Sequence, residues 1–451
     1  MIEKARELYN RYFNSGAERS IKAKRNIVTL TFYKGISIIL NLLLVPITLH
    51  YVDASTYGIW LTLSSVVGWI SFFDIGLNNG LKNRLAESIA NNDDNLGKTY
   101  VSTTYAMLTV IFIPLMVILL LIVPFLDWPT ILNIDNLDNG GLVSAICILV
   151  TYFCINFILS TINVVILSHQ APAEASLRTL IQQAVSLLII YILTLTTQGS
   201  LLKLCVGLCI SPLIVVTVYN LTLFNGKYKA IAPSIKYVDF HKVPDLMKLG
   251  VKFFIIHIAS IVLYQLTNLL IIRHYGPTDV TAYNIAYKYF SVLFMVWNIL
   301  ITPVWVAVTD AAAKNDYGWI NNMRKKYSRI LVLFVVGGIL MFALSKFVYH
   351  IWIGDNITIS WILSLWVMIY FMVMMFGSVP VSILNGLGEL NVQTIACCVS
   401  PIVYLAIFKI LVNLNVGVYS VIIASVIANF NGYLLAPIQC ARLLKKRNTV
   451  H

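Results

Sequence analysis

The chain has 451 residues, of which 59% are apolar and only 11% are charged, and its formal net charge is +13. Its mean hydropathy of +0.82 lies far above that of soluble globular chains. This composition excludes a water-soluble globular protein. The positive charge indicates contact with anionic lipid headgroups rather than nucleic acid.

The apolar residues gather in runs of about 20 residues, the length that crosses ~30 Å of hydrocarbon at 1.5 Å per residue. The pattern therefore predicts an all-α polytopic membrane protein of about twelve transmembrane helices. Because 26 hydrophilic residues precede the first run, we interpret that run as helix 1 and not as a cleaved signal peptide. In chain order the runs cover residues 27–49, 57–76, 101–126, 142–167, 178–196, 201–224, 250–272, 281–307, 330–350, 360–384, 392–412 and 418–443.

Lysine and arginine residues are distributed unequally between the two sides of the predicted membrane. With the N-terminus placed in the cytoplasm, 25 of the 32 Lys and Arg residues fall on that side, Arg178 among them. Six others lie inside the runs or at their ends, namely Lys34, Lys203, Lys252, Lys288, Lys346 and Lys409. The opposite side carries only Arg273. The positive-inside rule therefore predicts that both termini are cytoplasmic.

An internal repeat divides the chain. The segment Leu43–Trp60 reads LLVPITLHYVDASTYGIW, and Leu269–Ala286 reads LLIIRHYGPTDVTAYNIA, with an offset of 224 between His50 and His274. The repeat predicts two six-helix lobes related by an axis along the membrane normal, which suits alternating access better than a pore. The predicted parts are a basic N-terminal segment 1–26, an N-lobe 27–224, a basic linker 225–249, a C-lobe 250–443 and a basic tail 444–451.

Motifs for catalysis are missing from the sequence. It contains no G-x-x-x-x-G-K-[ST], H-E-x-x-H or G-x-S-x-G element, and the external loops are short. All seven cysteines lie within predicted spans, where they are interpreted as small core residues. We therefore expect no enzymatic activity, no cofactor and no metal site, which leaves a transporter, a channel or a scaffold.

Polar residues form stripes on helices 1, 7 and 8. Such residues are costly in a spanning helix unless they face protein or water, so they indicate either a transport pathway or hydrogen bonds between helices. Lys34 and Lys288 each lie ~10 Å inside their spans, deeper than a lysine comfortably snorkels. The predicted substrate-binding residues are Lys34 and Asn41 on helix 1, His257 on helix 7, and Asn284, Lys288, Ser291 and Asn298 on helix 8.

Carboxylates are scarce within the spans. Asp74 is the only one, and we predict that it forms a structural ion pair with Lys34 on the adjacent helix. A proton-driven pump would be expected to hold more buried acidic groups. Helix 8 also carries the aromatic stripe Tyr283, Tyr287, Phe290 and Phe294, which is typical of helix packing and less often of a sugar platform.

One stretch carries a family resemblance. Tyr57-Gly58-Ile59-Trp60, followed by Ser64-Ser65, Trp69 and FFDIGLNNGLKNRLAESIANND from Phe72 to Asp93, resembles the N-terminal signature of Wzx O-antigen flippases. These proteins form the polysaccharide-transport branch of the multidrug/oligosaccharidyl-lipid/polysaccharide (MOP) exporter superfamily. The motif covers about forty residues, while the length, spans and duplicated halves fit over the whole chain.

The resemblance implies a V-shaped two-lobed fold in the bacterial inner membrane, with a cationic central cavity. Its implied activity is transfer of undecaprenyl-diphosphate-linked oligosaccharide repeat units from the cytoplasmic to the periplasmic leaflet. The implied partners are this lipid-linked substrate, membrane lipids, a polysaccharide polymerase and a chain-length regulator. Related peptidoglycan-precursor flippases place basic residues on helices 1, 2 and 8; Lys34 and Lys288 match the first and last, and helix 2 has no cation.

Three other functions stay open at this point. A multidrug or other small-molecule antiporter of the same superfamily would be expected to need buried carboxylates. An O-antigen polymerase would be expected to need a large external loop that holds two glycans. A scaffold in an assembly complex is the third alternative.

Overall fold

The computed structural model describes residues 18–70, 76–133, 139–169, 171–247, 266–313, 315–355, 357–389 and 391–448. These residues form helices and connecting turns, and none of them lies in a β-strand. Residues 266–275 are also helical. The other helices are α1 Glu18–Tyr51, α2 Ala54–Val67, α3 Leu77–Ala90, α4 Asp94–Ile122, α5 Trp128–Leu132, α6 Asn139–Leu159, α7 Thr161–Ser168, α8 Pro172–Thr196, α9 Leu201–Asn225, α10 Pro277–Ala313, α11 Tyr317–Ile353, α12 Trp361–Gly386, α13 Asn391–Asn413, α14 Ser420–Ala428 and α15 Ala436–Asn448.

Ten segments of the described chain are helical, long enough and apolar enough to cross a membrane. They correspond to predicted runs 1, 3–6 and 8–12, so the predicted all-α polytopic fold is confirmed. In the second run, the α-helix Ala54–Val67 is followed by a 3-10 turn over residues 68–70, and residues 71–75 lie outside the described residues. Most of the seventh run also lies outside them, so the structure tests ten of the twelve predicted spans.

Aspartate side chains cap the N-termini of several helices. The carboxylates of Asp53, Asp93 and Asp316 accept hydrogen bonds from the backbone N–H groups of Thr56, Leu96 and Trp319, at 2.8, 2.9 and 2.8 Å. Such a cap satisfies a donor that the helix itself leaves unpaired. The aspartates therefore fix where α2, α4 and α11 start.

Contacts group the chain into two compact units. The first unit comprises Met1–Tyr51, Ile70–Leu126 and Gly140–Phe254. In it α1 packs along α8, and α8 packs against α9. The hydroxyl group of Tyr51 lies 2.8 Å from the Thr197 hydroxyl and donates to the Gln198 carbonyl at 3.1 Å, which ties the end of α1 to the turn after α8.

The second unit comprises Val52–Trp69, Asp127–Asn139 and Ile255–His451. Its helices α10, α11, α12 and α15 enclose an apolar core around the fully buried Trp297, whose indole N–H donates to Ser378 Oγ at 2.7 Å. Helix α2 packs on α10 in this unit. The contacts assign α2 to the second unit and the predicted linker to the first. These units are defined by contacts and not by the membrane, so the lobe boundaries predicted from the sequence stay a prediction.

Candidate functional site

The backbones of α2 and α10 meet at Gly58. A Cβ atom at this position would lie 1.8 Å from the carbonyl oxygen of Pro277, so any larger side chain would push the helices apart. Next to this contact, the Thr281 hydroxyl donates to the Ala54 carbonyl oxygen at 2.6 Å. The glycine of the Tyr57–Trp60 motif is therefore explained by the close approach of α2 and α10.

Lys288 lies within the spanning part of α10, about 16 Å along the axis from Pro277. Its ammonium group donates to the hydroxyl oxygen of Tyr57 at 3.2 Å, and Nζ lies 6.0 Å from the centroid of the same ring. Lys288 is half-buried and Tyr57 is only 4% exposed. The packing of α2 on α10 thus brings a motif residue into contact with a predicted substrate-binding lysine.

The charge of Lys288 is not neutralised by an acidic side chain of the described residues. The ion pairs found there are Arg84–Glu87, Lys227–Glu174, His241–Asp239 and His350–Asp355. An ammonium group has three donors, and Tyr57 accepts from one of them. Among the described residues Lys288 therefore has no anionic partner, and its ammonium group has donors left for an anionic ligand.

A chain of amide and hydroxyl groups runs beside Lys288. Asn284 donates to Asn268 Oδ1 at 2.9 Å, and Asn268 donates to Ser65 Oγ at 2.7 Å. These contacts join α10, the helical segment 266–275 and α2. Asn284 and Asn268 thus form hydrogen bonds between helices, and the predicted substrate-binding role of Asn284 stays a prediction.

The remaining predicted residues of α10, Ser291 and Asn298, have no described side-chain hydrogen bond to another helix. The buried hydroxyl of Ser291 donates to the carbonyl oxygen of Lys288 on its own helix at 2.8 Å, and Asn298 is exposed. In the aromatic stripe, Tyr287 packs on Phe371 with ring centroids 4.9 Å apart, and Phe294 packs on the same ring at 5.6 Å. These contacts favour the packing role of the stripe over a sugar platform.

In the first unit, Lys34 is exposed on α1 and Asn41 is half-buried, and Lys34 has no ion-pair partner among the described residues. The predicted partner Asp74 and the predicted site residue His257 lie outside the described residues. The Lys34–Asp74 pair and the roles of Lys34 and His257 therefore stay predictions.

Arg178 on α8 is a buried cation that sequence reasoning missed. It is 8% exposed, and its Nε and Nη1 atoms are enclosed without a hydrogen-bond partner in the described structure. Glu174, one helical turn earlier, accepts instead from Lys227 at 2.6 Å and from Tyr228 at 3.3 Å. Our charge count assigned Arg178 to the cytoplasmic side because it is the first residue of the predicted run 178–196, whereas the helix begins six residues earlier, at Pro172.

The described residues contain no group of three His, Cys, Asp or Glu side chains that could hold a metal ion. All seven cysteines are free thiols. The groups that surround Lys288 are the Tyr57 hydroxyl, the amides of Asn284 and Asn268 and the Ser65 hydroxyl.

A family model described as "Polysaccharide biosynthesis protein" matches residues 23–309. The chain belongs to this family. A relative from Yersinia pseudotuberculosis, provisionally named an O-antigen export protein, is 20% identical over 326 residues, which cover 70% of this chain and 72% of the relative. The predicted family resemblance is thereby confirmed.

The fold of this polysaccharide biosynthesis family member is similar to that of solved transporter structures. An inward-facing multidrug resistance MATE transporter of the MOP superfamily matches with a TM-score of 0.76 at 12% identity, over 93% of this chain and 99% of that one. A MOP superfamily transporter from Pyrococcus furiosus, noted for reverse polarity of its binding pocket, matches with a TM-score of 0.63 at 13% identity, over 93% and 95%. The predicted MOP-type fold is confirmed.

Proposed function

We propose that this protein is a flippase that carries a lipid-linked oligosaccharide across the bacterial inner membrane by alternating access. The family concerns polysaccharide biosynthesis, and a relative bears a name for O-antigen export. The fold is that of membrane transporters. The observation that carries the proposal is Lys288, a cation within a spanning helix whose described partner is the neutral phenol of Tyr57.

The chemistry of this lysine favours an anionic cargo. A charge within a spanning helix is costly and usually marks a substrate pathway. The diphosphate of a polyprenyl-linked sugar would supply the negative charge that Lys288 lacks, and hydrogen bonds between charged groups are the strong ones. Tyr57 would hold the ammonium group in place between transport events, and Asn284 would keep α10 in register with α2 through Asn268 and Ser65.

A multidrug antiporter is the second candidate, because a structural neighbour transports drugs. A cationic drug would need a carboxylate at this position, whereas the site holds a cation. The polymerase and the chain-length regulator implied by the resemblance remain proposed partners.

A flipping assay on the purified protein in liposomes tests the proposal. Lys288→Gln is expected to reduce the rate at which a lipid-linked oligosaccharide reaches the opposite leaflet by about 10- to 100-fold, since hydrogen bonds to charged groups contribute ~1.5–3 kcal/mol. Lys288→Arg is expected to retain part of the activity. Lys346→Gln is the matched control, because Lys346 is an exposed lysine on a neighbouring spanning helix of the same unit.

Two results would contradict the proposal. Wild-type flipping by a folded Lys288→Gln protein would remove the lysine from the pathway. Transport of cationic drugs without flipping of the lipid-linked substrate would favour the antiporter.

A further inference from the structure

A second cationic region lies on α11, away from the Lys288 site. Arg324, Lys325, Ser328 and Arg329 follow one another at helical spacing and line a cleft of about 380 Å³. None of the residues of the Lys288 site lines this cleft. Its volume lies within the range of small-ligand sites, ~300–1,000 Å³.

The cleft combines cationic and apolar lining residues. Phe376 and Pro380 of α12 and Pro437 of α15 belong to its apolar lining. The Phe376 side chain is 47% exposed, so it offers apolar surface directly beside the cations. A ligand that matches both surfaces has a negatively charged head and an apolar chain.

The cations that line the cleft are available to bind such a head. Arg324 donates to Asn321 Oδ1 at 3.0 Å, and none of these cations is in an ion pair with a described carboxylate. A guanidinium group binds two phosphate oxygens at once in a planar fork, while a lysine contributes a point charge. Two arginines flanking a lysine and the Ser328 hydroxyl thus form a phosphate receptor.

We infer that this cleft is a binding site for an acidic phospholipid of the surrounding bilayer, with the phosphodiester at Arg324 and Arg329 and an acyl chain along Phe376. Basic pockets between spanning helices on the cytoplasmic side are the recurrent setting for anionic headgroups. The positive-inside rule predicts the cytoplasmic side for residues 308–329. The alternative source of a lipid-borne phosphate is the diphosphate cargo, and the test distinguishes the two.

The test uses the full chain purified in a neutral detergent, with phosphatidylglycerol or phosphatidylcholine added. We expect phosphatidylglycerol to raise the midpoint of thermal unfolding by about 3 °C or more and to remain bound in native mass spectra, whereas phosphatidylcholine does neither. The double variant Arg324→Gln/Arg329→Gln is expected to lose the shift and the bound lipid. Lys326→Gln is the matched control, since Lys326 lies on the same helix but lines a neighbouring cleft with Trp319 and Tyr327.

A second double variant controls for loss of the lipid effect through misfolding. Arg324→Lys/Arg329→Lys keeps the charge but removes both forks, so its shift is expected to fall to less than half that of the wild type. The inference is overturned if either double variant keeps the full phosphatidylglycerol shift, or if phosphatidylcholine has an equal effect. It is also overturned if undecaprenyl diphosphate displaces phosphatidylglycerol at a lower concentration, because the cleft would then be a cargo site.

Discussion

At the scale of single residues, two cations within helices differ in how far the sequence could identify them. Lys288 was identifiable because it lies deep in a long apolar run and on a polar stripe. Its contact with Tyr57 was not, since it depends on how α2 and α10 pack. Arg178 was missed because it lies at the edge of a predicted run, where a cation is usually solvated.

Arg178 yields a stability prediction. Two of the three guanidinium nitrogens of Arg178 are enclosed without an acceptor, and taking an unpaired charge out of water costs on the order of several kcal/mol, which an apolar residue of similar size avoids. We therefore expect Arg178→Met to raise the thermal unfolding midpoint of the purified protein. A simultaneous loss of flipping would show that Arg178 is retained for function at the expense of stability.

The control for Arg178 is Lys227→Met. Lys227 is paired with Glu174 but its side chain is 53% exposed, so this change should alter stability by less than ~1 kcal/mol. A lower midpoint for Arg178→Met would contradict the prediction, because it would mean that the guanidinium group stabilises the folded protein.

At the scale of elements, hydropathy predicts spans well and short helices poorly. Runs of about 20 apolar residues identified the ten long apolar helices of the described chain, because a helix needs about this length to cross the hydrocarbon core. The helix α3 was not predicted, since a charged 14-residue segment is invisible to that criterion. Its buried Leu77, Leu81 and Leu85 are spaced four apart, which is the signal that could have found it.

The contact between α2 and α10 gives a prediction about an element. Gly58→Ala would place a methyl group against the Pro277 carbonyl, and overpacking of this kind typically costs ~1–3 kcal/mol. Because the separation would also move Tyr57 away from Lys288, we expect lower thermal stability together with reduced flipping.

A matched glycine shows whether crowding is the cause. Gly35 lies within α1, and a Cβ atom there would meet nothing within 4 Å. Gly35→Ala should leave flipping unchanged and preserve or slightly raise stability, because alanine is the better helix former. If Gly35→Ala and Gly58→Ala have equal effects, the close packing of α2 on α10 does not explain the glycine of the motif.

At the scale of the whole molecule, the distribution of charge indicates how transport could be driven. The described residues offer few acidic groups within spanning helices, whereas the proposed cargo carries about two negative charges. If the lysines stay with the protein, outward movement across an inside-negative membrane is favoured by ~2.3 kcal/mol per charge per 100 mV, or roughly 4–5 kcal/mol in total. The membrane potential alone would then suffice, without a proton-binding carboxylate.

Flipping in proteoliposomes should therefore depend on the membrane potential. Setting an inside-negative potential with valinomycin and a potassium gradient at constant pH is expected to accelerate outward transfer of the diphosphate-linked oligosaccharide, and collapsing the potential should slow it. Lys288→Gln should be slow under both conditions, because it affects binding rather than driving force. If the flipping rate does not change with the membrane potential but falls to background when a pH gradient is removed, transport is coupled to protons and not driven by the potential. In that event His257 becomes the residue to substitute first, because histidine is the side chain most often used as a proton carrier in this pH range.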